Sequence, residues 1–257
     1  MGSHRTPPIA TRPDAARPEE TGLKTDPRHG PLVTMLLVLT VVTGLVDAVS
    51  YLALGHVFVA NMTGNVVFLG FALAGAPGLS ATASLAALAA FLLGALAGGR
   101  LCELLPGHRG LLLVVSTVVQ AALVAGGTAL AALAGYTADP VRYPLIGLLG
   151  FAMGLQNAVV RHLRVPDLTT TVLTMTITAL AADRSGTRRL ASAVWMFGGA
   201  LLGAVLVLHA DVPAALGLAL ALLAAVAILT DRASRPHSGQ DGPGGPAPAW
   251  TAPEGGS

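Results

Sequence analysis

The residues that could bind a ligand lie in two short stretches of an otherwise apolar chain. The first stretch, FVANMTGNVVFLG over 58–70, contains Asn61, Thr63 and Asn65. Asp47 precedes it and is the one acidic residue that lies inside an apolar run. Because a carboxylate at mid-membrane costs about 2.5–3.5 kcal/mol on insertion scales, Asp47 needs a polar cavity or a hydrogen-bonding partner. The chemistry open to such groups is reversible binding of a proton, an ion or a small polar solute.

The second stretch, GLQNAVVRHLRVPDLTTTVLTMT, begins at Gly154 and aligns with GLVDAVSYLALGHVFVANMTGN, which begins at Gly44 and includes the start of the first stretch. Asn157 then falls on Asp47, so one copy carries an ionisable group and the other a neutral amide. The polar residues of this second stretch are Gln156, Asn157, Thr174 and Thr176. Two interpretations are open for both stretches: a binding site shared between two similar halves, or polar clusters whose hydrogen bonds hold helices together.

Composition indicates what kind of protein must position these residues. Of 257 residues, 53% are hydrophobic and 11% are charged, which leaves too little polar surface for a soluble globule. Aromatic residues make up only 4%, whereas glycine occurs 31 times, a usage typical of closely packed helices rather than a β-barrel. The sequence therefore predicts an all-α polytopic membrane protein.

Eight apolar segments can be marked, and the second and sixth are interrupted by polar residues. The segments are 32–54, 57–74, 80–104, 111–133, 144–160, 168–182, 190–208 and 212–230. A helix needs roughly 20 residues to cross the hydrocarbon core, so 57–74 and 168–182 are the two whose crossing is in question.

The positions of Lys and Arg decide between the two topologies. If all eight segments cross, four basic residues lie opposite the N-terminus, namely Arg100, Arg109, Arg161 and Arg164. If the second and sixth segments re-enter instead, every Lys and Arg except Arg142 lies on the side of the N-terminus. The positive-inside rule favours the second arrangement. We therefore predict about six spans plus two broken or re-entrant segments, with both termini cytoplasmic.

The sequence also predicts two four-segment repeats, 32–134 and 143–230, flanked by disordered tails at 1–31 and 231–257. Three spans plus one re-entrant segment per repeat would give inverted halves, as in many secondary transporters. Glycines at small-xxx-small spacing favour close helix contact. Those assigned to helix packing are Gly44, Gly64, Gly94, Gly98, Gly154, Gly199 and Gly203, and Gly64 is also expected to interrupt the second segment.

Several classes of function are disfavoured. The single cysteine, Cys102, excludes an internal disulfide and any multi-cysteine metal cluster. His56 and His209 lie at segment ends without a second ligand at helical spacing, so no metal is expected. The basic residues form no stripe with interleaved aromatics, which argues against nucleic acid. Motifs of hydrolases and of phosphate-binding enzymes are missing, and we predict neither a catalytic residue nor a cofactor.

The motifs GLVDAVSYLALGHVFVANMTGN and, later, GLQNA resemble the bacterial YoaK-type membrane family, a domain of unknown function. The resemblance covers about 32–230 and implies a multi-pass protein of the bacterial inner membrane, without implying a substrate. In that family the second copy commonly has glycine where this chain has Met175, so the resemblance does not extend to a glycine-dependent break there.

The leading hypothesis is a small secondary transporter or permease-like protein with a polar mid-membrane site for a small solute or ion. The residues assigned to that site are Asp47, Asn61, Thr63, Asn65, Gln156, Asn157, Thr174 and Thr176. The alternative hypothesis is a structural or assembly protein that binds a membrane partner through helix packing.

Overall fold

The computed structural model describes residues 30–163 and 187–234, and the regular elements in these two ranges are all α-helices. They are α1 (Gly30–Ala53), α2 (Met62–Leu73), α3 (Ala81–Leu104), α4 (Arg109–Ala134), α5 (Asp139–His162), α6 (Thr187–His209) and α7 (Val212–Ser234). The predicted all-α polytopic class is confirmed. The helices α1 and α7 extend a few residues into the segments predicted as tails.

Within 30–163 and 187–234, six helices are long and apolar enough to cross a membrane, in agreement with the predicted number of about six spans. The exception is α2, whose 12 residues cover about 18 Å, well short of a hydrocarbon core of about 30 Å. The other predicted interruption, 168–182, lies outside the described residues together with Thr174, Met175 and Thr176.

Short connections fix the direction of neighbouring helices. Four residues join α3 to α4 and four join α4 to α5, while two join α6 to α7, so each of these pairs is antiparallel. Side chains cap two of the helix starts. The Ser80 hydroxyl accepts from the Ala83 amide at 3.2 Å before α3, and the Asp211 carboxylate accepts from the Ala214 amide at 2.7 Å before α7.

The helices α1 and α6 pack in parallel through glycines. Gly199 lies against the backbone of Val41, and Gly203 lies against the backbone of Leu45. A Cβ atom added to Gly199 would overlap the Val41 carbonyl oxygen, and one added to Gly203 would lie 2.8 Å from the Leu45 oxygen. Only glycine permits backbones to approach this closely.

The helices α3 and α5 pack through corresponding residues. Gly94 lies against Phe151, where a Cβ would overlap the carbonyl oxygen, and Gly98 lies against Leu155, where a Cβ would be 2.7 Å from the carbonyl oxygen. When LAALAAFLLGALAG, which begins at Leu85, is aligned with LASAVWMFGGALLG, which begins at Leu190, Gly94 and Gly98 correspond to Gly199 and Gly203. The α3–α5 and α1–α6 contacts are the two most extensive in the described part of the chain. Each pair therefore contains one helix from the first half of the chain and one from the second.

Gly44 and Gly154 complete these contacts from the facing helices. A Cβ added to Gly44 would overlap the carbonyl oxygen of Met196 on α6, and one added to Gly154 would overlap that of Phe91 on α3. At these glycine positions neither helix has room for a side chain. The glycines at small-xxx-small spacing therefore form contacts within the molecule.

Contacts near helix ends give the direction of the remaining helices. The Thr230 hydroxyl near the end of α7 lies 3.1 Å from the Met35 sulfur near the start of α1, so these helices are antiparallel. Val114 near the start of α4 lines a groove with Ala227 near the end of α7, so these helices are antiparallel as well. It follows that α1 runs antiparallel to α5, the helix with which it aligns in sequence.

The bundle therefore has two distinct ends. The starts of α1, α4 and α6 and the ends of α3, α5 and α7 lie at one end, which we call the Arg109 end. The break between α1 and α2 and the α4–α5 and α6–α7 connections lie at the other, which we call the α2 end. The Arg109 Nη2 group donates to the Leu163 carbonyl at 3.3 Å, which ties the start of α4 to the end of α5.

Candidate functional site

The chain breaks between α1 and α2, upstream of the position expected from the sequence. Gly55 and His56 have φ angles of 96° and 57°, and the backbone stays non-helical until α2 begins at Met62. The prediction that Gly64 interrupts the helix is wrong, because Gly64 lies in the first turn of α2. A Cβ added there would be 2.6 Å from the Phe58 ring. Gly64 therefore allows the broken segment to pack against α2. Its nearest neighbours belong to that segment and not to another helix, as the helix-packing prediction had required.

Asp47 holds the broken segment from the side of α1. Its Oδ1 atom accepts hydrogen bonds from the amides of Val59 at 2.9 Å and Ala60 at 2.8 Å. The side chain is only 4% exposed, and its Oδ2 atom has no hydrogen-bond partner among the described residues. A buried backbone donor without an acceptor is costly, so the carboxylate satisfies two groups that the break would otherwise leave unpaired.

Asn65 holds the same segment from the side of α2. Its amide nitrogen donates to the Phe58 carbonyl at 2.5 Å, and its amide oxygen accepts from the Phe58 N–H at 2.8 Å. The side chain is fully buried. Because both ends of the amide are bonded to one backbone unit, Asn65 positions the break and does not line the pocket described below.

Aromatic rings cover the outer part of the break. The rings of Tyr51 and Phe58 are stacked with centroids 5.1 Å apart, and Phe68 of α2 stacks on Phe58 at 5.6 Å. His56 packs edge-on against Tyr51 at 5.3 Å. These contacts join the end of α1, the broken segment and α2 into one unit at the α2 end of the bundle.

Gln156 belongs to a buried hydrogen-bond chain between three helices. Its oxygen accepts from Gln120 of α4 at 2.5 Å, and its nitrogen donates to the Thr43 hydroxyl of α1 at 3.1 Å. Thr43 in turn donates to the Leu39 carbonyl at 2.9 Å. Sequence reasoning missed Gln120, although Ser116 and Gln120 form an i, i+4 polar pair on α4 that could have indicated it.

A polar pocket of about 150 Å³ lies beside the broken segment. It is lined by Ala60, Asn61, Met62 and Thr63, by Phe91 of α3, by Asn157 of α5 and by Met196 of α6. Since Phe91 and Met196 lie near the middles of their helices, the pocket is near the middle of the bundle. The residues Ala60–Thr63 and Phe91 come from the first half of the chain, and Asn157 and Met196 from the second.

The structure thus separates the predicted site residues. Asn61, Thr63 and Asn157 line one pocket, whereas Asp47, Asn65 and Gln156 are bonded to the protein around it. Asn157 donates to the Met153 carbonyl at 2.9 Å and also takes part in a further interaction. No group of three His, Cys, Asp or Glu side chains that could hold a metal occurs within 30–163 and 187–234.

The six long apolar helices and the short helix beside a mid-bundle pocket define a polytopic α-helical membrane protein. The chain belongs to the family described as a protein of unknown function, DUF1275, whose sequence profile matches residues 35–229. It is also similar to the UPF0700 transmembrane protein YoaK of Bacillus subtilis strain 168, with 36% identity over 155 residues. That similarity covers 60% of this chain and 67% of YoaK. No solved structure matches the chain.

Proposed function

We propose that the protein is a small secondary transporter whose substrate binds in the pocket beside the broken segment. The observation that carries this proposal is the position of the pocket. It lies near the middle of the bundle and between the two halves, where the start of α2 meets Asn157 of α5. Secondary transporters place their sites at such a midplane junction, next to discontinuous helices whose ends face the substrate.

The helix arrangement supports this proposal. The aligned helices α1 and α5 run in opposite directions, and the aligned glycine contacts make the α1–α6 and α3–α5 pairs correspond. Inverted halves of this kind can expose one central site first to one side of a membrane and then to the other. Binding and translocation, without covalent chemistry, is the activity we propose.

Asp47 is the group we assign to ion coupling. Its Oδ1 atom binds the amides of Val59 and Ala60, while its buried Oδ2 atom has no partner among the described residues. Ala60 also lines the pocket, so a proton or ion that binds Oδ2 would act on a residue that contacts the substrate. A lone intramembrane carboxylate with an unused oxygen is suited to that role.

Transport should be measured with purified protein in liposomes that contain a pH-sensitive dye. We expect at least one solute, from a set of amino acids, sugars, polyols, carboxylates, amides and simple cations, to cause a protein-dependent proton flux. Asp47→Asn should abolish that flux, because the amide keeps an acceptor for Val59 and Ala60 but cannot exchange a proton. Wild-type liposomes that behave like empty ones throughout would exclude the transporter. Proton-coupled uptake that is unchanged in Asp47→Asn would remove Asp47 from coupling.

We further propose that the Arg109 end faces the cytoplasm of a bacterial cell, with both termini on that side of the inner membrane. Arg100, Arg109, Arg161 and Arg232 lie toward the Arg109 end, and among the described Lys and Arg residues only Arg142 lies toward the other end. This asymmetry is what the positive-inside rule requires.

Orientation can be tested with two exposed prolines in a Cys102→Ala background. Pro77 lies between α2 and α3 at the α2 end, and Pro106 lies between α3 and α4 at the Arg109 end. A membrane-impermeant maleimide should label Pro77→Cys in intact cells and Pro106→Cys only after permeabilisation. The reverse labelling pattern would invert the proposed orientation, and labelling of both in intact cells would contradict the six-span topology.

The alternative is a structural or assembly protein that binds a membrane partner through helix packing. Gly94, Gly98, Gly199 and Gly203 are instead buried in contacts within the chain. A partner could not use these surfaces without separating the α1–α6 and α3–α5 pairs, which supports the transporter over an assembly protein that binds through these glycines.

A further inference from the structure

The pocket is lined by polar groups that carry no charge. Asn61 and Thr63 on one wall and Asn157 on the opposite wall supply carboxamides and a hydroxyl, and the other lining side chains are apolar. Neither Asn61 nor Thr63 forms a side-chain hydrogen bond within the described ranges, and Asn61 does not cap α2. These two side chains are therefore available to a ligand.

Two opposite fields meet at this pocket. The uncapped start of α2 directs backbone N–H groups and the positive end of the helix dipole toward it. Asp47 lies directly behind Ala60 and, when ionised, opposes that field with a negative charge. For an anion, attraction to the start of α2 is offset by repulsion from Asp47, and for a cation, attraction to Asp47 is offset by repulsion from the start of α2. A neutral solute with a dipole avoids both penalties.

The cost of dehydration leads to the same class of ligand. Removing an ion from water costs several kcal/mol unless a counter-charge replaces the lost solvation, and none of the described side chains that line the pocket provides one. A neutral amide or polyol loses only hydrogen bonds to water. The Asn61 carboxamide, with two donors and an acceptor, and the Thr63 hydroxyl can replace those bonds.

The volume limits the size of this ligand. The pocket has a volume of about 150 Å³, which is below the roughly 300–1,000 Å³ of pockets for drug-sized ligands, so only a small solute fits. We propose that the pocket binds a small uncharged solute that carries both hydrogen-bond donors and acceptors, such as a short amide, a urea or a polyol. This inference rests on the proposed transport function and specifies its substrate class.

Charge selectivity of the pocket can be measured without knowing the substrate. In a Cys102→Ala background, Thr63→Cys places a thiol on the pocket wall, and Val66→Cys, on the exposed face of the same helix, serves as the control. The purified variants are treated with hydroxyethyl, aminoethyl and carboxyethyl methanethiosulfonate, which are neutral, cationic and anionic. For each reagent, the rate of reaction with the protein thiol is divided by the rate of reaction with a free thiol in the same buffer.

We expect the neutral reagent to modify Thr63→Cys at least tenfold faster than it modifies Val66→Cys, because a thiol ionises only where water enters. At Thr63→Cys the neutral reagent should also react about tenfold faster than either charged one. Adding Asn157→Asp should raise the rate of the cationic reagent about tenfold at Thr63→Cys and leave Val66→Cys unchanged, since the new carboxylate faces the same space.

The possible failures are distinguishable. Preference for a charged reagent at Thr63→Cys would overturn the uncharged substrate class and leave transport standing. If Thr63→Cys reacts no faster than Val66→Cys, the pocket is closed to water, and the proposed transport function fails with it. Asn61→Cys provides a second pocket position and should give the same order of rates as Thr63→Cys.

Discussion

Gly199→Ala should lower the free energy of unfolding by about 1–3 kcal/mol, whereas Gly198→Ala, one residue earlier on α6, should leave it unchanged or raise it slightly. A Cβ at Gly199 would overlap the carbonyl oxygen of Val41, and a backbone atom cannot rotate away as a side chain can. The helices α1 and α6 would have to move apart where their backbones lie very close together. At Gly198 no atom lies within 4 Å of the added Cβ, so only the higher helix propensity of alanine acts.

The other half of the chain offers an independent copy of this experiment. Gly94→Ala places a Cβ on the carbonyl oxygen of Phe151, and Gly99→Ala meets nothing within 4 Å. Thermal unfolding of the purified variants in detergent should show the same contrast for both pairs. Equal stability of Gly199→Ala and Gly198→Ala would show that the helices are not in the close contact described here. A loss of thermal stability in Gly199→Ala without one in Gly94→Ala would show that the two helix pairs differ in packing.

The six long helices of the described ranges and the glycine contacts could be predicted because both depend on local pattern. Apolar runs longer than about 20 residues identify a span wherever it packs. A small residue at every fourth position provides a flat helix face whichever helix covers it. The partner of each face was not predictable, since α1 contacts α6 and α3 contacts α5 across more than 50 residues of chain.

The position of the helix break could not be predicted, because distant residues determine it. Local propensity pointed to Gly64, yet the chain breaks at 54–61, where Asp47 and Asn65 supply hydrogen-bond partners for the freed backbone. This shift also changes which side chains share a face of α2. In a continuous helix Asn61 and Asn65 would share one face at i, i+4. Because α2 begins at Met62, Asn61 instead faces the pocket while Asn65 is buried against Phe58.

Asp47→Ala should destabilise the segment between α1 and α2 by roughly 2–6 kcal/mol, at about 1–3 for each buried donor left without an acceptor. The two donors are the amides of Val59 and Ala60, which both bond to Oδ1. Asp47→Asn should retain most of this stability, since its amide oxygen can still accept both bonds. Hydrogen exchange of the peptide that contains 57–65 should rise strongly in Asp47→Ala and little in Asp47→Asn.

Asp211→Ala is the matched control for this measurement. Asp211 also accepts a backbone amide, that of Ala214 at 2.7 Å, but it is exposed, so water replaces the lost acceptor and the expected cost is about 1 kcal/mol. Slow exchange at 57–65 in Asp47→Ala would show that the aromatic rings and Asn65 suffice to hold the break. If the contrast appears as expected, Asp47 has two separable functions: Oδ1 maintains the pocket wall, and only Oδ2 is free to couple transport. A transport defect in Asp47→Asn could then be assigned to coupling, because in that variant the wall of the pocket remains in place.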